Sequence, residues 1–270
     1  MTKRSAAFPL NVTGVRGSTF VQLSRHHLPR QRWSGAAWIA ACGIVSVAVL
    51  PRSALAETDL SGTWRIVAPR SSIASENLTI PFTAQGKKQY DENRRKRAKR
   101  DLEFDRTASR CAAPGVPRVM LTSKRFQVFQ DRDIVMIGFE WNRFRRAIAM
   151  PTLPSQFSIF GDQDNAGLVG TKMGTSKGHW EGDTLVIQTS QFSDRTLLDD
   201  AVPHGFQLKV TERVRLVAPD TLEDRIKIED PEYFTRPWET VVTYARQPDA
   251  VFPEDNCLDR VSGEPMLPSK

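Results

Sequence analysis

The sequence has little of what metal- and nucleotide-dependent enzymes need. Its 270 residues hold four histidines and three cysteines, and no two cysteines stand in a C-x-x-C spacing. No phosphate-cradling G-x-x-x-x-G-K-[ST] loop and no G-x-G-x-x-G dinucleotide fingerprint occurs, so no cofactor is expected. Outside the N-terminal region only His179 and His204 remain, and no third good ligand stands at zinc spacing from them, so no metal site is expected. The apolar run Ala36 to Leu50 falls short of the roughly 20 residues that cross a bilayer, so the mature chain should carry no integral membrane segment. No internal repeat is visible.

Acids are missing altogether from residues 1–56, which carry Lys3, Arg4, Arg16, Arg25, Arg30, Arg32 and Arg52. Taking these seven from the 38 basic residues leaves 31, equal to the 31 acids, so the formal charge of +7 belongs to the N-terminal piece. A neutral remainder gives no electrostatic ground for a nucleic-acid partner. A basic start, the run "AAWIAACGIVSVAVL" and then "ALA" at Ala54 to Ala56 read as a secretory signal cleaved near Ala56, placing the mature protein in the periplasm or outside the cell. "IAAC" ending at Cys42 offers the alternative of a lipid anchor. Export leaves Cys111 and Cys257, expected as one disulfide contributing roughly 4 to 5 kcal/mol because it closes a long loop. Two buried free thiols are the alternative.

Beyond the leader, residues 57–110 read as a first strand, "LSGTWRIV", and a basic helical linker, "TAQGKKQYDENRRKRAKR", with Thr83 as helix N-cap candidate. Residues 111–270 read as one antiparallel β-barrel domain closed by Cys111–Cys257. Short period-two runs punctuated by Pro and Gly predict strands over 118–122, 126–130, 134–141, 144–150, 168–173, 184–192, 206–216, 222–229 and 238–246. "WEGDT", Trp180 to Thr184, is a tight-turn signature. The fold class is all-β, an antiparallel barrel or sandwich with a short N-terminal helical segment.

Polar residues break the apolar rows of these strands. In "FQLKVTERVRL" the row Phe206, Leu208, Val210, Glu212, Val214, Leu216 holds one carboxylate, and the returning row Leu222, Asp224, Ile226, Ile228 holds another. Pairing Leu216 with Leu222 sets Val214 opposite Asp224 and Glu212 diagonal to it, about 7 to 8 Å away at the backbone. Two inward carboxylates at that spacing share a cation or repel, which suits acid/base work. Arg146, in the row Phe144, Arg146, Ile148, Met150, is their expected inward partner, and a cluster that merely fixes register is the alternative. The connection "SDRTLLDDAVPHG" concentrates Asp194, Arg195, Asp199, Asp200 and His204 where barrels often bind ligands. "GTSKG", Gly174 to Gly178, matches a nucleophile elbow, but a β-turn and a strand follow it where the elbow needs a helix.

The motifs "DLSGTW", "CAAPGVPRVML", "GTSKGHWEGDTLVIQT", "DRTLLDDAVPH", "TERVRL" and "DTLEDRIKIEDPEYFTRPW" together resemble a large family of exported, uncharacterised bacterial proteins over residues 58–257. "GTW" at Gly62 to Trp64 resembles the G-x-W that opens lipocalin-like (calycin) barrels, which implies an interior holding one small ligand. The chain departs from the exported family's pattern at Leu197, where tryptophan is usual, and at Gly205, where serine often follows the histidine. The expected function is therefore an exported barrel binding a small, partly apolar molecule, with Arg146, Glu212 and Asp224 as a polar floor and Arg195, Asp199 and His204 at the mouth. A cofactor-free lyase, isomerase or hydratase using Glu212, Asp224 or His204 is the alternative. A third reading has the basic stretch Arg94 to Arg100 touch an anionic envelope surface. Oligomeric state is left open.

Overall fold

A computed structural model describes residues 58–69, 71–75, 77–154, 171–193, 196–254 and Cys257. The expected signal region, Cys42 and Arg195 lie outside the described residues. Nine strands form a closed barrel in chain order: β1 (Gly62–Ile66), β2 (Phe126–Gln130), β3 (Ile134–Phe139), β4 (Arg145–Ala149), β5 (Thr175–Glu181), β6 (Thr184–Ser190), β7 (Lys209–Ala218), β8 (Thr221–Glu229) and β9 (Trp238–Gln247). β9 pairs back onto β1 through Thr63 to Gln247 and Ile66 to Tyr244. β1 is thus a stave between β2 and β9, and the barrel does not begin at Cys111 as the division at residue 111 assumed. Removing β1 would leave two open edges.

Every neighbouring pair is antiparallel except β4 and β5, which run parallel through Ile148 to Ser176. A parallel pair needs a long connection, and the chain between residues 150 and 174 supplies it. β5 itself escapes the alternation rule because neither of its faces forms an apolar row: Ser176, Gly178 and Trp180 lie on one, Thr175, Lys177, His179 and Glu181 on the other. Gly178 is required there: a Cβ would sit 2.8 Å from Ile148 Cγ2. The strand expected over 118–122 is a 3₁₀ turn, Arg118–Leu121, with all four side chains buried, a pattern that alternation cannot describe. Of the strand expected over 168–173, the described part contributes a single bridge, Thr171 to Phe192.

Inward side chains alternate as the pleat dictates. Trp64, Phe126, Ile137, Ile148, Leu185, Leu222, Ile226 and Tyr244 are among those that fill the centre. Trp64 donates from Nε1 to the Leu60 carbonyl at 3.0 Å, and the Arg246 guanidinium covers its ring at 4.2 Å, sealing the seam where β1 meets β9. Cys111 and Cys257 are joined, with Cα atoms 5.8 Å apart.

Helix α1 (Ala84–Ala98) is polar all round, yet it is fastened to the barrel. Asn93 Nδ2 donates to the Ala201 carbonyl at 2.8 Å, Arg97 Nε donates to the Asp200 carbonyl at 2.8 Å, and Phe82 stacks on Tyr90 at 4.9 Å. Gly86 lets the first turn approach the 230–234 loop so closely that a Cβ would lie 2.3 Å from the Tyr233 carbonyl oxygen. Thr83 caps the helix: its Oγ1 accepts from Gly86 N at 3.0 Å and donates to the Glu232 carbonyl at 2.8 Å. Thr83→Ala is expected to lower stability by about 1 to 2 kcal/mol in urea denaturation, since both bonds are lost. A change below a few tenths would mean that α1 is not part of the cooperative unit.

Candidate functional site

β4, β7 and β8 each push one charged side chain into the barrel. The predicted register holds: Leu216 pairs with Leu222 and Val214 with Asp224, so Glu212 and Asp224 both face inward, each about 1% exposed or less. Arg146, 3% exposed, meets Glu212 in a two-pronged ion pair. Its Nη1 donates to Glu212 Oε1 at 2.9 Å, and its Nη2 bonds Glu212 Oε2. The guanidinium also donates through Nε to Ser176 Oγ at 3.1 Å and through Nη2 to Thr189 Oγ1 at 2.8 Å, and those two hydroxyls lie 2.9 Å apart. Ser176 therefore serves as a partner of the arginine on a strand, with neither Asp199 nor His204 among its hydrogen-bond partners.

Thr189 was not singled out from the sequence, and Ser176 only as the serine of the nucleophile-elbow match, in hydrolase chain order with Asp199 and His204, not as a partner of Arg146. Thr189 was findable by the signal that found Glu212, a polar residue ending the apolar row Leu185, Ile187 of β6. Ser176 was not, because the pattern of β5 hides the strand.

Asp224 is different. It has no solvent exposure, and neither carboxyl oxygen accepts a hydrogen bond from any described residue. Burial, then the negative charge of Glu212, push its carboxyl well above the ordinary carboxylate range, against a pull from Arg146 and with a further push from Glu223. Beside it lies a cavity of about 20 Å³, lined by Phe126, Ile187, Glu212, Leu222, Asp224 and Tyr244 among others. Phe126 and Tyr244 close edge to face at 5.0 Å across the space that a lipocalin-like calyx would leave for a ligand. The polar floor is present, but the room above it fits one water molecule and no organic ligand.

The loop residues are also placed otherwise than expected. Asp199, 3% exposed, is consumed by the backbone: Oδ1 accepts from Ala201 N and Val202 N at 2.7 Å each, and Oδ2 accepts from Ile73 N at 2.9 Å. Burial raises its carboxyl, while those three donors pull it back. His204, also 3% exposed, lies with Nε2 2.7 Å from Thr196 Oγ1 and Nδ1 3.0 Å from the Gly205 carbonyl, with Phe192 edge-on to its ring. Neither is an open-mouth group. Both shape the loop, because a polar connection folded over a barrel end must satisfy its own backbone.

That end carries a buried network no strand pattern predicts. Asp105, the N-cap of helix α2 (Arg106–Arg110), accepts from Arg118 Nη1 at 2.8 Å and Nη2 at 2.7 Å and from Arg97 Nη2 at 2.6 Å. Arg118 also reaches Asp200 Oδ1 at 2.9 Å. Burial opposes ionisation of Asp105, yet the Arg118 hydrogen bonds and charge hold it below its ordinary value.

The open space lies outside the barrel. The described residues of the arm 67–82 bound a groove of about 1240 Å³ together with Tyr90 and Val241; Val67, Leu78, Ile80, Phe82 and Lys87 are among its lining residues. The arm is pinned at its middle by the Ile73 amide on Asp199, by Asp200 N donating to the Ser71 carbonyl at 3.2 Å, and by Thr240 Oγ1 donating to the Ile73 carbonyl at 2.9 Å. Pro69 and Ser71 also line a second cleft of about 440 Å³, whose polar wall includes Arg118, Asp200, Thr122 and Ser123, with Trp141 beside them. Among the described residues no three His, Cys, Asp or Glu side chains converge to hold a metal ion, and no helix is long and apolar enough to cross a membrane. No family model, curated protein or solved structure matches the chain.

Proposed function

We propose that this protein is an exported β-barrel that binds a small, partly apolar molecule in the groove beneath the arm 67–82 rather than inside the barrel. The observation that carries this reading is the contrast between about 1240 Å³ outside and about 20 Å³ inside. Aliphatic and aromatic walls would take the apolar body of the ligand, and the adjoining cleft at Arg118 and Asp200 would take its polar end. Export is supported by the basic N-terminal region, its apolar run and the "ALA" site, by the disulfide, and by the resemblance of several motifs to an exported bacterial family.

A cofactor-free acid/base enzyme is the second reading, favoured by the raised Asp224 carboxyl. It requires a substrate to touch Asp224, for which the closed interior has no room.

The probe is 1-anilinonaphthalene-8-sulfonate, an apolar bicycle with an anionic end. Wild-type protein is expected to enhance its fluorescence saturably. Val241 sits half-buried on the outer face of β9, and Val241→Glu is expected to weaken binding at least about tenfold, by placing a carboxylate in the apolar wall. Asp224→Leu, inside the barrel, is expected to leave it unchanged. Unchanged affinity in Val241→Glu would remove the groove from consideration.

A further inference from the structure

Charge beyond residue 56 is balanced in sum but not in place. The 31 basic and 31 acidic residues there cancel, yet residues 84–100 hold eight basic side chains and only two acids, Asp91 and Glu92. The remainder is left with 23 basic against 29 acidic residues, so a cationic helix stands on an anionic body.

The contacts of α1 decide which of its charges face outwards. Gly86 against Tyr233, Tyr90 on Phe82, Asn93 on the Ala201 carbonyl and Arg97 on Asp200 and Asp105 all lie on the stripe that meets the barrel. With 3.6 residues per turn, Lys88, Arg95 and Lys99 fall on the opposite side. All three are exposed, as are Arg94 and Arg100. Lys87 bridges to Asp91, and Arg95 and Lys96 share Glu92. Among the described residues Lys88, Arg94, Lys99 and Arg100 make no ion pair. The helix dipole accounts for cations in the last turn, Arg95, Lys96 and Arg97, but gives no account of Lys88 towards the N-terminal end.

We propose that this outer face of α1, Lys88, Arg95 and Lys99 flanked by Arg94 and Arg100, docks on an anionic phospholipid bilayer. Each basic side chain near such a surface favours binding by about fivefold, so a face of several cations holds the protein without any inserted segment. No large apolar side chain stands on that face, so the helix rests on the headgroups. A nucleic acid fits it less well. The face offers no aromatic ring to stack on a base, and Asp91 and Glu92 break the row of cations that a phosphate track would follow, whereas a bilayer responds to the net charge of the face. Lys87 and Tyr90 of the same helix line the groove, so a docked bilayer lies next to it. The docking itself does not rest on what the groove binds.

The chain from Ser53 to Lys270 is a compact unit by itself and is the species to test, so that the basic residues 1–52 do not contribute. In low salt it should sediment with vesicles of equal parts phosphatidylglycerol and phosphatidylcholine, and not with vesicles of phosphatidylcholine alone. Adding salt to about 0.5 M should release it, because screening shortens the reach of each charge. The triple variant Lys88→Gln, Arg95→Gln, Lys99→Gln should lower the partition coefficient about hundredfold. Its thermal unfolding should match wild type, since all three side chains are exposed. A control triple on the outer faces of β7 and β8, Lys209→Gln, Arg213→Gln, Arg225→Gln, removes the same charge and should lower the coefficient far less. Equal losses in the two triples, binding to phosphatidylcholine alone that survives high salt, or tighter binding to a DNA duplex than to the anionic vesicles overturns the proposal. The α1 triple keeps Lys87 and Val241, so its binding of anilinonaphthalenesulfonate should equal that of wild type, and failure of the groove reading remains a separate result.

Discussion

Arg146→Met is expected to lose about 3 to 5 kcal/mol of stability at neutral pH, read from urea denaturation midpoints, because it strands Glu212 as an unpaired charge inside the barrel. The pair is enclosed on all sides, with Arg146 and Glu212 side chains 2% and 1% exposed, so water cannot replace the lost partner. Removing both charges should behave otherwise. In Arg146→Met with Glu212→Leu the desolvation of two ions disappears together, and Ser176 and Thr189, which already lie 2.9 Å apart, keep each other as hydrogen-bond partners. Replacing a buried pair by apolar side chains of similar size is often neutral or stabilising, so the double variant should recover most of the single variant's loss. Its Asp224 would then have lost the Glu212 charge that raises it and the Arg146 charge that lowers it, while burial and Glu223 still raise it. If the double variant is as unstable as the single one, the cluster acts through the position of its side chains rather than their charge, and the barrel interior needs the arginine's bulk.

Opening the disulfide is the other large effect. Cys111 and Cys257 are 146 residues apart in sequence, and the chain-entropy model for so long a loop gives about 5 kcal/mol, within the 2 to 5 kcal/mol by which natural disulfides commonly stabilise exported domains. The double variant Cys111→Ser, Cys257→Ser, compared with wild type with and without reductant, should show that loss, and reductant should leave the double variant unaffected. Other contacts also hold the chain near the bridge. Gln127 Nε2 donates to the Ala250 carbonyl at 2.8 Å, Arg143 Nη1 to the Phe252 carbonyl at 3.0 Å, and the Arg125 guanidinium lies 5.2 Å from the Phe252 ring centre. These hold residues 250–252 against the barrel in the folded state, so the bridge acts chiefly on the unfolded chain. A loss below about 1 kcal/mol would mean that the unfolded chain is already restrained without it, and would weaken the case that the protein depends on an oxidising compartment.

What could be read from the chain alone follows from rules that act over a few residues. Side chains on a strand alternate with period two, so the rows of β7 and β8 fixed the partnership of Leu216 with Leu222 and put Glu212 and Asp224 inside. The row Arg146, Ile148, Met150 turned Arg146 towards the same interior. Thr83 announced the start of α1, and Cys111 and Cys257, the two cysteines beyond residue 56, are joined.

Other features were decided by contacts between residues far apart in sequence. Alternation says which way a side chain points, not how far its neighbours reach, so the hollow expected behind "GTW" is closed where Phe126 of β2 meets Tyr244 of β9, on the two strands flanking β1. Loop acids and histidines look alike in sequence whether they face solvent or backbone. Asp199 is buried because the amide of Ile73, 126 residues earlier, comes to meet it, and His204 because Thr196 and Gly205 fold around it. The groove beneath the arm exists for the same reason: a segment with no strand pattern is pinned at Ser71 and Ile73 by three hydrogen bonds to the barrel and its mouth loop. Local periodicity therefore determined the rows and the inward charges, while the partners of unpatterned segments, and the volume left between packed walls, depend on the closed barrel as a whole.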